Sequence, residues 1–150
     1  MWTKLNGIPV IGRCLFNLIF RFKVPYTASI CPVIEALEPG RAVVTMKDRR
    51  RVRNHLHSIH AVALMNMGEA ASGLAVVSRI PANARAIITH LEIDFLKKAR
   101  GTLTAVGEFK ENLPSPLVKT SFEVQAIITN AAGEAVAKVT AHWLVDGPPA

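Results

Sequence analysis

Ile59-His60-Ala61-Val62-Ala63-Leu64-Met65-Asn66-Met67-Gly68-Glu69-Ala70-Ala71-Ser72-Gly73-Leu74-Ala75-Val76-Val77-Ser78-Arg79 is the stretch that decides how this chain folds. Nearly every side chain in it is apolar or small, the main exceptions being His60, Asn66, Glu69, Ser72 and Ser78. The pattern predicts one long helix over 59–79, with Ser58 placed to cap its start. A helix that is apolar on almost all sides has to be surrounded by lipid or by protein. Its length would just span a bilayer, but Asn66 and Glu69 fall at the middle, where a carboxylate is costly in hydrocarbon. The expectation is therefore a buried core helix with no membrane span.

The segments on either side supply the covering. Thr89–Leu96 alternates Leu91, Ile93 and Phe95 against His90, Glu92 and Asp94, and Thr102–Lys110 alternates Leu103, Ala105, Gly107 and Phe109 against polar neighbours. This period of two marks strands. Ser121–Thr129 sets Phe122, Val124, Ala126 and Ile128 on one face. Asn130-Ala131-Ala132-Gly133 then turns the chain into 134–145, where Ala135, Ala137, Val139, Ala141 and Trp143 align. Small residues on that last strand would let a helix approach closely. Upstream, Ile11, Leu15, Leu18 and Phe22 recur at helical spacing between Pro9 and Pro25, which predicts a first helix with that stripe against the core. The run from Tyr26 to Leu37 looks β-like, with Pro32 marking a bulge or an edge, and Glu38-Pro39-Gly40 turns it into Arg41–Lys47 as a hairpin. No crossover helices separate the later strands, so the sheet should be antiparallel and the fold class α+β.

At 150 residues the chain has the size of one domain, expected to span 1–150, and long enough to bury roughly two-thirds of its unfolded surface. Half of it is apolar and 19% is charged, which excludes a disordered chain. The stretch from Ile8 to Phe22 is apolar enough to resemble a signal peptide, but Arg13 interrupts it and no small-x-small cleavage site follows. It is read as part of the fold, and the protein as cytoplasmic. Cys14 and Cys31 show no metal-type spacing. The net charge of +7 is concentrated in Lys47, Arg49, Arg50, Arg51 and Arg53 and in Lys97, Lys98 and Arg100. Such clusters attract polyanions. The basic run carries no interleaved aromatics and no nucleic-acid-binding signature is present, so a smaller phosphate-bearing ligand is preferred to nucleic acid.

No Gly-x-Ser-x-Gly elbow, P-loop or dinucleotide glycine fingerprint occurs. The chemically unusual residues lie around the start of the long helix: Asn54, His60, and Glu69 further along it. A helix start offers unpaired N–H groups and the positive end of the dipole, suited to an oxyanion growing on a carbonyl, and Ala61 N–H is the candidate donor. A carboxylate in a largely apolar helix has a raised pKa unless something pairs with it, and can act as general base or nucleophile. Together these suit acyl transfer to water. Nine residues separate His60 from Glu69, about 13 Å along the axis, and a second subunit could bring the two ends together.

Asn54-His55-Leu56-His57-Ser58-Ile59-His60-Ala61-Val62, continuing to Asn66 and Glu69, resembles the Asn, His-Gly-Gly, acidic-residue pattern of hot-dog-fold thioesterases of the phenylacetyl-CoA-pathway type. The resemblance covers nearly the whole chain and implies a hot-dog fold, an antiparallel sheet wrapped around a long central helix, here with an extra N-terminal helix. It implies an acyl-CoA thioester hydrolase acting on CoA or acyl-carrier-protein substrates without a cofactor or metal. The assembly implied is a homodimer, or a tetramer of two such dimers, with sites at the interface. Asn54 would position water or the nucleophile, His60 would orient the site, Ala61 would donate its N–H to the thioester oxygen, and Glu69 of the partner would drive the attack. Val62 and Asn66 are candidate substrate contacts, and Arg50, Arg51 and Arg53 candidate CoA-phosphate ligands. Ala61 and Val62 stand where the family has two glycines, which adds side chains at the thioester approach.

Plainer readings stand beside these. Glu69 can be a buried acid bonded to Asn66, Asn54 a turn cap, and His60 a satisfied helix-start histidine. His55, His57 and His60 lack the Cys or acidic companions of a zinc site. A non-catalytic acyl-CoA or lipid-binding protein is the alternative function, and the hydratase branch of the fold is weakened by the lack of its Asp-x-Asn-x-x-His segment.

Overall fold

A computed structural model describes residues 9–147, with side chains from residue 12 onward. In chain order these form α1 (Pro9–Lys23), α2 (Pro25–Ala28), β1 (Val33–Glu38), β2 (Arg41–Met46), a 3-10 turn at Arg50–Val52, α3 (Ala61–Arg79), β3 (Arg85–Phe95), β4 (Leu103–Glu108), β5 (Thr120–Thr129) and β6 (Ala135–Asp146). The six strands make one antiparallel sheet in the order β1-β2-β4-β5-β6-β3. Its concave face closes over α3, which packs across β2, β4, β5 and β6. This is the hot-dog arrangement. Among the described residues α3 alone is long and apolar enough to cross a membrane, and it is the core helix of the fold.

The alternation in β4, β5 and β6 works as the sequence predicts. Leu103 and Ala105 of β4, Phe122, Val124, Ala126 and Ile128 of β5, and Ala137, Val139, Ala141 and Trp143 of β6 are all buried beneath or beside α3. In β3 a bulge between Ile88 and His90 shifts the phase, so Ala86 and Ile88 precede Leu91 and Ile93 on the inner face. Ile87 and Phe95 are exposed on this edge strand.

Close approach of helix and sheet depends on glycines as well as on the small residues of β6. A side chain at Gly107 of β4 would overlap the backbone of Ala71 in α3, and one at Gly68 would overlap the Val139 side chain. Backbone cannot move aside cheaply, so Gly107→Ala is expected to cost about 3 kcal/mol, lowering Tm by roughly 10 °C. A thermal melt shifted by less than a few degrees would show that the packing is looser than described.

Three expectations need correction. Leu15, Leu18 and Phe22 do not face the core: Leu18 is 52% and Phe22 79% exposed, and Phe16 and Asn17 are buried instead, with Phe20 packed against the core. The cause is Asn17. Its Oδ1 accepts from Ile34 N–H at 2.8 Å and its Nδ2 donates to Ile34 C=O at 3.1 Å, filling the free edge of β1 and rotating α1 to suit. The Ile11 side chain lies outside the described residues. Tyr26–Ala28 is the helical turn α2 rather than strand, with Pro25 at its first position. Finally, α3 begins at Ala61, capped by His60 rather than Ser58. Ile59 N–H bonded to Ala99 C=O and His60 N–H bonded to Val52 C=O hold those two residues extended.

Candidate active site

The loop before α3 is shaped by Asn54. Its Oδ1 accepts from Leu56 N–H (2.9 Å) and Ser58 N–H (3.1 Å), and its backbone N–H donates to Ser58 C=O (2.8 Å). That is the turn-capping role of an Asn, and it fixes the direction in which the chain enters α3. Ser58 Oγ is buried there without a partner among the described residues.

At the helix start the amides are almost all taken. Val62 N–H donates to His60 Nδ1 at 3.1 Å, while Ala63 and Leu64 N–H donate to His60 C=O. Accepting through Nδ1 leaves the neutral His60 imidazole with its proton on Nε2. Ala61 N–H alone in this first turn donates to no described group. Ala61 lines a cleft of about 350 Å³ together with Asn54, Leu64, Phe95, Leu96 and Lys98 among others. The cleft is mostly apolar and sits at the positive end of α3. Asn54 and Ala61 are thus brought together, with His60 as the cap that orders the turn.

Glu69 does not line this cleft. It stands eight residues after Ala61, about 12 Å along the helix, and lines a second cavity between α1 and α3. Its carboxylate has no hydrogen bond or ion pair among the described residues, and burial pushes its pKa above the ordinary carboxylate value. The proposed Asn66–Glu69 bond is not formed: Asn66 is buried with its Oδ1 unpartnered among the described residues. Ser72 Oγ donates to Glu69 C=O at 3.0 Å and accepts from Trp143 Nε1 at 3.2 Å, tying this turn to β6. Val62 is exposed and does not line the Ala61 cleft, so its side chain does not crowd that opening.

The two basic segments meet in space. Asp48 holds them: Oδ1 accepts from Arg53 Nε at 2.6 Å and Oδ2 from Gly101 N–H at 2.9 Å, and these bonds keep its carboxyl below the usual range. Arg50 and Arg53 line a pocket together with Asn54, His55 and His57. Arg51 turns elsewhere, toward Cys31 Sγ at 3.5 Å. Lys98 and Phe95, absent from the sequence-based site, come to the Ala61 cleft from the far end of β3, and only the basic character of 97–100 hinted at it. Among the described residues no three metal-type side chains converge.

A family model described as a domain of unknown function, DUF4442, matches residues 12–145. The chain belongs to the DUF4442 family. Solved structures share the fold of this DUF4442 chain. A structural-genomics crystal structure is 28% identical, with a TM-score of 0.81 over 97% of both chains. A Pseudomonas aeruginosa protein described as of unknown function and a probable thioesterase is 20% identical, with a TM-score of 0.76 over 88% of this chain and 93% of its own. The Escherichia coli PaaI protein from the phenylacetic acid degradation operon is 22% identical, with a TM-score of 0.72 over 91% and 95%. No curated protein sequence matches.

Proposed function

We propose that this DUF4442 protein is an acyl-CoA thioester hydrolase working as a homodimer. The observation that carries the proposal is Ala61 at the start of α3, whose N–H donates to no described group and which lines a mostly apolar cleft with Asn54. Such a donor suits the oxyanion of a tetrahedral intermediate. The likeness to structures described as thioesterases is in accord with this reading.

In the proposed reaction Glu69 of the partner subunit takes a proton from water as the water oxygen attacks the thioester carbon. The negative charge that develops on the carbonyl oxygen is met by Ala61 N–H. The C–S bond then breaks, the proton passes from Glu69 to the departing thiolate, and the products are a carboxylic acid and free CoA. A raised pKa makes Glu69 a stronger base than an ordinary carboxylate. The exposed edge of β3, eleven residues long and bearing Ile87 and Phe95, is the surface on which two protomers would pair, since an unpaired edge of that length invites another strand. Lys98 beside the cleft, with Arg50 and Arg53 further out, would meet the CoA phosphates. Two free cysteines suit a reducing cytoplasm.

Thiol release from a panel of short, long and aromatic acyl-CoAs tests the proposal. Turnover of at least one class is expected. Saturable binding with no free CoA from any member would instead establish a non-catalytic acyl-CoA-binding protein.

A further inference from the structure

We infer that the acyl group is a medium-length aliphatic chain lying in the cavity between α1 and α3, reached past Glu69. The inference rests on the hydrolase reading above and adds the substrate class to it.

The cavity encloses about 330 Å³. Phe16, Ile19 and Phe20 of α1 form one wall and Ala70 and Leu74 of α3 the other, with Trp143 of β6 across its inner end. The polar residues that reach it are Glu69, Thr27 and Lys23, the last exposed in the final turn of α1. The rest of the lining is apolar and would leave hydroxyls or amides along a substrate unpaired, whereas methylenes lose nothing by entering it. At about 30 Å³ of liquid volume per water-sized group, the space takes roughly ten methylenes. A lone aromatic ring would leave much of it unfilled. Small residues keep the space open: Ala70 faces it, and Gly73 lets the Trp143 ring approach the helix backbone. The bond from Trp143 Nε1 to Ser72 Oγ fixes that ring. Glu69 at the wall places the reacting carbonyl at one end of the chain and the apolar lining beyond it.

The test uses S-alkyl-CoA thioethers, which bind but cannot be hydrolysed, from butyl to hexadecyl, measured by calorimetry beside thiol release from the matching acyl-CoAs. Affinity should rise about fourfold per methylene until roughly ten carbons are buried, then level off. Ala70→Leu, which fills the cavity, should move that plateau to shorter chains and cut the dodecyl-over-butyl preference at least tenfold. Phe20→Ala, which enlarges it, should move the plateau to longer chains. General destabilisation would not shift the two variants in opposite directions. A flat profile in the wild type, or one plateau shared by all three proteins, overturns the inference. Thiol release with an unchanged profile in both variants would overturn the chain site alone. The expected thioether profiles with no thiol release from any substrate would support the chain site and overturn the hydrolase reading.

Discussion

Glu69→Gln is expected to lower kcat for thioester hydrolysis by about a hundred- to ten-thousand-fold, the range for losing a general base, and at the same time to stabilise the fold at neutral pH. The two effects share one cause. The Glu69 carboxylate is half-buried with no partner among the described residues, so its folded pKa lies above the ordinary value of 4.5. Between those two pH values the folded chain binds more protons than the unfolded one, and stability falls as pH rises. Above the folded pKa the full penalty of a buried charge is present; below about pH 4 it is gone. Gln keeps the size and removes the charge. Its melting temperature should therefore exceed that of the wild type at pH 7 and converge with it in acid, as parallel melts at the two pH values would reveal. The wild-type rate should likewise rise with pH through the raised pKa. A variant with unimpaired turnover would remove Glu69 from the mechanism.

Ala61→Pro should cost about a hundred- to a thousand-fold in kcat, the cost of losing an oxyanion donor, with little change in stability. Ala61 is the first residue of α3, a position that proline favours because its N–H has no intrahelical partner. His60 before it already has φ −66° and ψ 141°, the extended conformation that a following proline requires. The substitution thus deletes one hydrogen-bond donor and little else. Ala61→Gly, which retains the N–H, should keep turnover and serves as the control. Kinetics of the two variants beside their melts would separate a lost donor from a damaged fold. Wild-type kcat in a folded Ala61→Pro protein would mean that the oxyanion is held elsewhere.

Much of this was legible in the sequence because single residues report their own burial. The period-two runs of β4, β5 and β6 and the all-round apolar α3 could be read locally. The orientation of α1 could not. Both faces of that helix are apolar, and the choice is made by Asn17 finding the free backbone of Ile34, a partner seventeen residues away on a strand edge. The start of α3 was placed two residues early because Ser is a common cap, whereas Ile59 and His60 are held extended by bonds to Ala99 and Val52. For the candidate site, Ala61 and Glu69 could be singled out from their place on the helix and their polarity. Lys98 and Phe95 could not, since only the return of β3 past the helix start brings them to the cleft. The joining of the two basic segments was hidden for the same reason, as Asp48 bonds both Arg53 and Gly101.

The most direct test of the two-subunit site is complementation between the two inactive variants. Glu69→Gln and Ala61→Pro proteins are mixed in equal amounts, unfolded and refolded together so that subunits exchange, and assayed for thiol release. In a two-fold dimer, half of the assemblies should be mixed, and one of their two sites would pair an intact Ala61 with an intact Glu69, returning about a quarter of wild-type activity. Recovery near that level is the predicted result. A refolded mixture no more active than its parents would contradict a site shared between subunits.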